Sequence, residues 1–178
     1  EVWLEQHDAP TQKAGVDVNL VGLFNVTNVL NVFATWHAAG IALEHAVQFA
    51  PHLRPPEGRM QFFTAPGTPL VVVDYAHTPD ALSQALAALR PLAQVRQGRI
   101  WVVFGCGGER DQGKRALMGQ AAAGADHILL TNDNPRGEEP RAIIDAIAAG
   151  VPAQRFETKT CECIPDRLLA IEHATFDS

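Results

Sequence analysis

Apolar residues recur at helical spacing between Gly22 and Ala39: Val26, Val29, Leu30, Phe33 and Ala34 share one stripe, while Asn25, Asn28, Thr35 and His37 lie off it. Gly40 supplies the stop. A second short helix, Ala42 to Phe49, runs into Pro51, Pro55 and Pro56, a proline-rich connection that reads as a linker. Upstream, residues 1–18 alternate only weakly, as an edge strand and loop would. The abrupt start at Glu1 leads to the expectation that the chain begins inside a domain.

Beyond the linker the pattern changes to strands alternating with helices. EGRMQFF reads as a short strand led by Gly58-Arg59, and Leu70 to Val73 is a β-branched run ending in Asp74, the form of a buried parallel strand. A helix follows from Pro79 to Leu92, with Thr78 as cap, Pro79 in the first helical position and Asp80 opposing the positive end of the dipole. Arg99 to Gly137 then forms a complete βαβ unit: strand, glycine loop, helix, the strand His127 to Leu130, and an Asp-Asn-Pro-Arg turn. Glu138, Glu139 and Pro140 start a helix that runs to Ala149 and stops at Gly150. A strand near Gln154 to Glu157 and a helix from Asp166 to about Ala174 are predicted to extend the same sheet. The alternation specifies an α/β fold, in which ligands bind at the carboxyl ends of the strands.

Composition narrows the functional classes. With 178 residues, 47% of them hydrophobic, the chain can bury a core. A net charge of −6 and a pI near 5.6 argue against nucleic acid as the main partner, because backbone binding needs a basic surface. Cys106, Cys161 and Cys163 are odd in number and lack the companions of a zinc site, so they are read as reduced cytosolic thiols. The histidines His7, His37, His45, His52, His127 and His173 show no metal-ligand spacing and read as surface or packing residues. Val18 to Leu43, the longest uncharged stretch, is broken by Asn, His and Gly and does not resemble a membrane span. Asn25-Val26-Thr27 matches a glycosylation acceptor, and the expectation is that the match is accidental.

Two phosphate-loop readings of the βαβ unit fail. Gly105, Gly107 and Gly108 begin like a dinucleotide fingerprint, but Arg110 occupies the third glycine position. Gly108 to Lys114 fits most of a Walker loop, yet Arg115 replaces the Ser or Thr that ligates Mg²⁺. What remains is a glycine turn with Arg110, Lys114 and Arg115 nearby, suited to a carboxylate or phosphate. A solvated basic helix start explains the same residues equally well.

GCGGERDQGKR followed by TNDNPRGEEPRAIIDAI resembles the C-terminal domain of the Mur ligases, and the likeness extends from the GLFNVTN stretch to the helix near Asp166. The resemblance implies a Rossmann-like, mostly parallel sheet with helices on both faces. It assigns residues 1–56 to a remnant of the central ATP-binding domain and linker, and 57–178 to a C-terminal amino-acid-binding domain truncated at its end. It also implies that Asn25 and Asn28 contact the adenine, that Arg59 reaches the ATP phosphates, and that Asp74 bonds the ribose hydroxyls with His77 near ATP. Without it, Asn25 reads as a helix cap, Arg59 as a surface residue beside a turn and His77 as unremarkable.

Family members that add meso-diaminopimelate carry the DNPR turn together with the arginine of the preceding loop. Here these match Asp133, Asn134, Pro135 and Arg136, with Arg110 as the second arginine. Diaminopimelate differs from lysine by a distal carboxylate, which two arginines hold through charge-assisted bonds and whose loss leaves those donors unpaired. The implied reaction is ATP-dependent amide formation on UDP-MurNAc-L-Ala-D-Glu in the cytoplasm, with Mg²⁺, through an acyl phosphate. A complete phosphate loop, the nucleotide-sugar domain, the central-domain metal ligands and a GKGHE-like strand end are not in the sequence, so the chain is expected to be an inactive fragment of such a ligase. Two other readings stand beside this one: a folylpolyglutamate synthase-like ligase, which shares the Asp-x-x-His loop but not GERDQGKR with DNPR, and a non-catalytic α/β module for a small ligand.

Overall fold

A computed structural model describes residues 2–6 and 9–176, with side chains from residue 13 onward. His7 lies outside the described residues. The chain divides into two compact units, Glu1–Gln61 and Phe62–Ser178.

In the first unit β1 (Val2–Gln6) and β2 (Ala9–Ala14) pair antiparallel, with Val2 opposite Ala14 and an irregularity between Leu4 and Gln6. Helix α1 (Phe24–Ala38) and α2 (Leu43–Phe49) follow. The predicted stripe is narrower than its pattern: Val29 and Phe33 are buried, whereas Val26 and Leu30 are 54% and 44% exposed. Those two buried residues meet Leu43, Ala46 and Ala50 in a small core, with Val16, Val18 and Trp36 packed on it. The capping reading of Asn25 is also corrected. The helix is preceded by Leu23 with no side-chain cap bond, and Asn25 Nδ2 donates backward to Val21 O at 2.8 Å.

The second unit is built on a three-stranded parallel sheet in the order β5 (Trp101–Phe104), β6 (His127–Leu130), β7 (Cys161–Cys163). Alternation along the strands assigns the faces. Val102, Phe104, Ile128, Leu130, Cys161 and Cys163 point into the main core. Against this face pack α3 (Pro79–Val95) through Leu82 and Leu86, α4 (Lys114–Ala121) through Met118, and α5 (Pro140–Ala148) through Ile143, Ile144 and Ile147. Trp101 and His127, on the other face, stack at 4.0 Å, and α7 (Arg167–Phe176) covers them, setting His173 edge-on to Trp101 and within 3.3 Å of Glu162. Helices thus flank the sheet on both sides, as predicted. Among the described residues no helix is long and apolar enough to cross a membrane.

Three sequence expectations are corrected here. Gln154 to Glu157 is not a strand but lies in α6 (Ala153–Glu157), and the third strand is Cys161–Cys163. Pro152 is extended at the helix N-cap, and Arg155 reaches back to the carbonyls of Ala123, Ala125 and Asp126 at 2.8–2.9 Å, leaving the strand slot to the segment after Lys159. Second, β4 (Val71–Val73) is only half-buried, with Val73 44% exposed, and pairs with β3 (Gln61–Phe63) in a sheet of its own. Third, α3 continues past Leu92 to Val95 and tolerates Pro91 within it. All three cysteines are free.

Candidate functional site

The two loops leaving the carboxyl ends of β5 and β6 are packed face to face, and glycine is required at their contact. A methyl group on Gly108 would lie 1.8 Å from Pro135 O, and one on Gly105 would lie 2.3 Å from Thr131 O. Only hydrogen at these positions lets the backbones approach so closely. The loops are then cross-linked: Gly108 N donates to Asn134 O at 3.1 Å, and Arg136 Nη1 donates to Gly108 O. Glu109, Asn134 and Arg136 all hold positive φ, at 53°, 45° and 52°. Left-handed backbone at non-glycine residues costs energy and persists where the surroundings fix it, as at ligand-binding turns.

This packing brings together the two arginines singled out in the sequence. A methyl group on Gly107 would sit 3.1 Å from Arg136 Nη1 and 3.8 Å from Arg110 Cγ. Arg110 and Arg136, both exposed, therefore each bring a side-chain atom close to Gly107. Asp133 Cβ lies over Gly105, and Asn134 contributes its backbone oxygen to the loop contact while its residue surface stays exposed. Cys106 lies beneath, buried. Desolvation pushes its thiol up despite the opposing charges of Lys114 and Arg115.

Arg115 does not serve as an anion-facing group. It is 4% exposed, the one buried charge among the described residues, and makes a bidentate pair with Glu138, Nη1 to Oε2 at 2.9 Å and Nη2 to Oε1 at 2.8 Å. Glu138 also accepts from Glu109 N at 2.5 Å and from Gln112 Nε2 at 3.5 Å. The Arg115 hydrogen bonds, with that from Glu109, hold the Glu138 carboxyl down at about 2. Sequence reading took Glu138 for part of a helix start; Glu139 caps α5 instead, accepting from Arg141 N and Ala142 N. The signal available was a Lys-Arg pair opening α4 with a Glu directly after the DNPRG turn. Nothing in that spacing says which of the three basic residues turns inward.

The third loop of this unit joins the same region. Asp74 is exposed and its Oδ1 accepts from Ala76 N at 2.8 Å; His77 Nδ1 lies 3.0 Å from Tyr75 O, with the two rings 5.2 Å apart. Lys114 Nζ donates to His77 O at 2.9 Å, tying this loop to the start of α4. An open groove beside it, between α3 and α4, is lined by Asp80, Ser83, Asp111, Leu117 and Gln120 rather than by the paired arginines. In the first unit Asn25 and Asn28 meet directly, Asn28 Nδ2 donating to Asn25 Oδ1 at 2.9 Å. Arg59 lies in a turn whose N–H donates to Pro56 O at 3.1 Å, between Gly58 and Met60, both at positive φ. Among the described residues no three His, Cys, Asp or Glu side chains converge as metal ligands would.

A parallel α/β sheet with two glycine-packed loops at its carboxyl edge is the architecture of this unit, and the chain belongs to the Mur ligase family. The family model "Mur ligase, glutamate ligase domain" matches residues 58–176. The chain is 55% identical over 139 residues to UDP-N-acetylmuramoyl-L-alanyl-D-glutamate--2,6-diaminopimelate ligase of Acidovorax sp. (strain JS42), a match covering 78% of this chain and 28% of that protein. A solved structure of a ligase of the same name aligns over 88% of this chain and 31% of its own length, with 42% identity and a TM-score of 0.58. Folylpolyglutamate synthase from Thermotoga maritima aligns over 92% of this chain and 36% of its own, with a TM-score of 0.65 but 18% identity, which is a likeness of fold alone. The chain thus spans about a third or less of the length of these relatives.

Proposed function

We propose that this chain is the amino-acid-binding part, with a remnant of the ATP-binding domain before it, of a ligase that adds meso-diaminopimelate to UDP-MurNAc-L-Ala-D-Glu in bacterial peptidoglycan synthesis. The observation that carries the reading is the approach of Arg110 and Arg136 to the same glycine, Gly107. Two arginine side chains that converge on one loop position can bring their guanidinium forks to the distal carboxylate of diaminopimelate through charge-assisted bonds. Asp133 and Asn134 shape the turn that presents Arg136. A site built on such bonds rejects lysine, which leaves Arg110 and the remaining donors of Arg136 without their carboxylate, by a factor on the order of 10⁴.

In the parent reaction the dipeptide carboxylate attacks the γ-phosphorus of ATP, giving an acyl phosphate and ADP. The amine of diaminopimelate then attacks the acyl carbon, the amine loses a proton, and phosphate leaves as the amide forms. Within this chain, Asn25 and Asn28 are assigned to the adenine edge, where a carboxamide offers donor and acceptor together. Arg59 is assigned to the phosphates, Asp74 to the ribose hydroxyls and His77 to the neighbourhood of ATP. The residues present do not fit a Mg²⁺ site of their own, since no acidic cluster converges among those described. The partners are small molecules, ATP, meso-diaminopimelate and the nucleotide-linked dipeptide, in the cytoplasm, with neither nucleic acid nor membrane engaged.

Calorimetric titration of the chain with meso-diaminopimelate, lysine and glutamate tests this reading. Preference for diaminopimelate that is lost in Arg136→Ala supports it; equal response to all three favours a generic binding module, and preference for glutamate favours the folylpolyglutamate synthase-like ligase. The isolated chain is expected to make no ADP or tripeptide product.

A further inference from the structure

Resting on that assignment of the two arginines, we propose that the Arg115–Glu138 pair is a positioning clasp that sets the separation of the glycine loop and the DNPR turn, and through it the specificity for a distal carboxylate. Arg115 is buried, and Glu138 is turned to it with both oxygens. Glu138 takes hydrogen bonds from three places on the opposite side of the contact: the backbone of Glu109, the side chain of Gln112 and both Nη atoms of Arg115 on α4. Glu109 and Gln112 bracket Arg110, and Glu138 follows Arg136 by two residues. One carboxylate therefore anchors the segments that carry both specificity arginines.

The energetic logic favours geometry over stability as the reason for the pair. Burying a guanidinium and its carboxylate costs desolvation that their mutual attraction roughly repays, so an apolar pair of similar volume would stabilise the fold as well or better. An apolar pair would not fix distance and angle as two parallel N–H···O bonds do. Arg115 Nε remains without a partner, so the guanidinium is held from its Nη end alone, by Glu138. Three non-glycine residues at positive φ line the same contact, and a loop pair holding that strain relaxes when its tie is cut.

The test uses Glu138→Gln, which keeps shape and one acceptor, and Glu138→Ala as the stronger cut, each checked for fold by far-ultraviolet circular dichroism. Two readouts are taken: hydrogen exchange of the Glu109 and Gly108 amides, and calorimetric affinity for meso-diaminopimelate and for lysine. The clasp predicts that Glu138→Gln stays folded, that Glu109 exchange quickens at least about tenfold, and that diaminopimelate affinity falls about ten- to a hundredfold while lysine affinity barely changes. A folded variant with wild-type exchange and wild-type preference for diaminopimelate overturns it. Should the unaltered chain show no preference for diaminopimelate, the assignment of the arginines falls, and the specificity role with it. The exchange readout then still decides whether Glu138 ties the loops.

Discussion

Gly108→Ala separates loop packing from ordinary tolerance of a methyl group. The added Cβ would lie 1.8 Å from Pro135 O, 2.6 Å from Pro135 C and 3.2 Å from Pro135 Cα, all backbone atoms with no rotamer to swing away. The two loops must open by more than an ångström to restore an ordinary carbon–oxygen contact. Overpacking of this kind costs about 1–3 kcal/mol, which for a unit of this size lowers the melting temperature by roughly 3–15 °C. The same opening stretches the Gly108 N to Asn134 O bond and the Arg136 bond to Gly108 O, so under the proposed assignment of Arg110 and Arg136 diaminopimelate affinity is expected to fall as well. Gly98→Ala is the control, since a methyl group there meets nothing within 4 Å; it is expected to change stability by no more than about 0.5 kcal/mol. Thermal unfolding by circular dichroism, with calorimetry on the same samples, gives both numbers. Equal melting temperatures and equal ligand affinities for the two variants would refute the close-packed loop pair.

Further predictions address core and charge. Ile144, fully buried between α5 and the sheet, should cost about 2–5 kcal/mol as Ile144→Ala in urea unfolding, with the slope m unchanged. Burial, with the charge of Arg99, holds His127 below the usual histidine range, so its contribution to stability is present above the unfolded value and lost as pH falls through the lowered one. Unfolding followed by Trp fluorescence should therefore show stability dropping below about pH 6.5, less steeply in His127→Gln. Glu138, held at about 2, contributes stability that is present above its unfolded value and lost as pH falls toward about 2. The Glu109 amide should accordingly stay protected at pH 4 and lose protection near pH 2 in wild type, whereas Glu138→Gln should show little change over that range.

What the sequence disclosed, it disclosed through local chemistry. The alternation of strands and helices was legible because its strands are short apolar runs and two of its helix starts are marked: Thr78 accepts from Ala81 N as a cap of α3 should, and Pro140 opens α5. The last strand was misplaced because Cys161-Glu162-Cys163 is too short to show a period, and its central Glu, within 3.3 Å of His173 of α7, does not read as a strand residue. The stripe of α1 overstated burial, because periodicity ranks positions by type and says nothing of how much neighbouring surface exists to cover Val26 and Leu30. At the candidate site the pairing of Arg110 with Arg136 could be anticipated from two motifs at adjacent strand ends. The inward turn of Arg115 could not, since a guanidinium is buried only when a partner 23 residues away reaches it with both oxygens.

The central claim is that one small diacid engages both exposed guanidinium groups at once. Nuclear magnetic resonance of the arginine side-chain Nε–H groups, recorded while meso-diaminopimelate and then lysine are titrated into the chain, reads this directly. The account predicts that the Arg110 and Arg136 signals shift together with diaminopimelate, saturate at one shared Kd, and stay in place with lysine. Movement of only one of them, or an equal response to lysine, would contradict it.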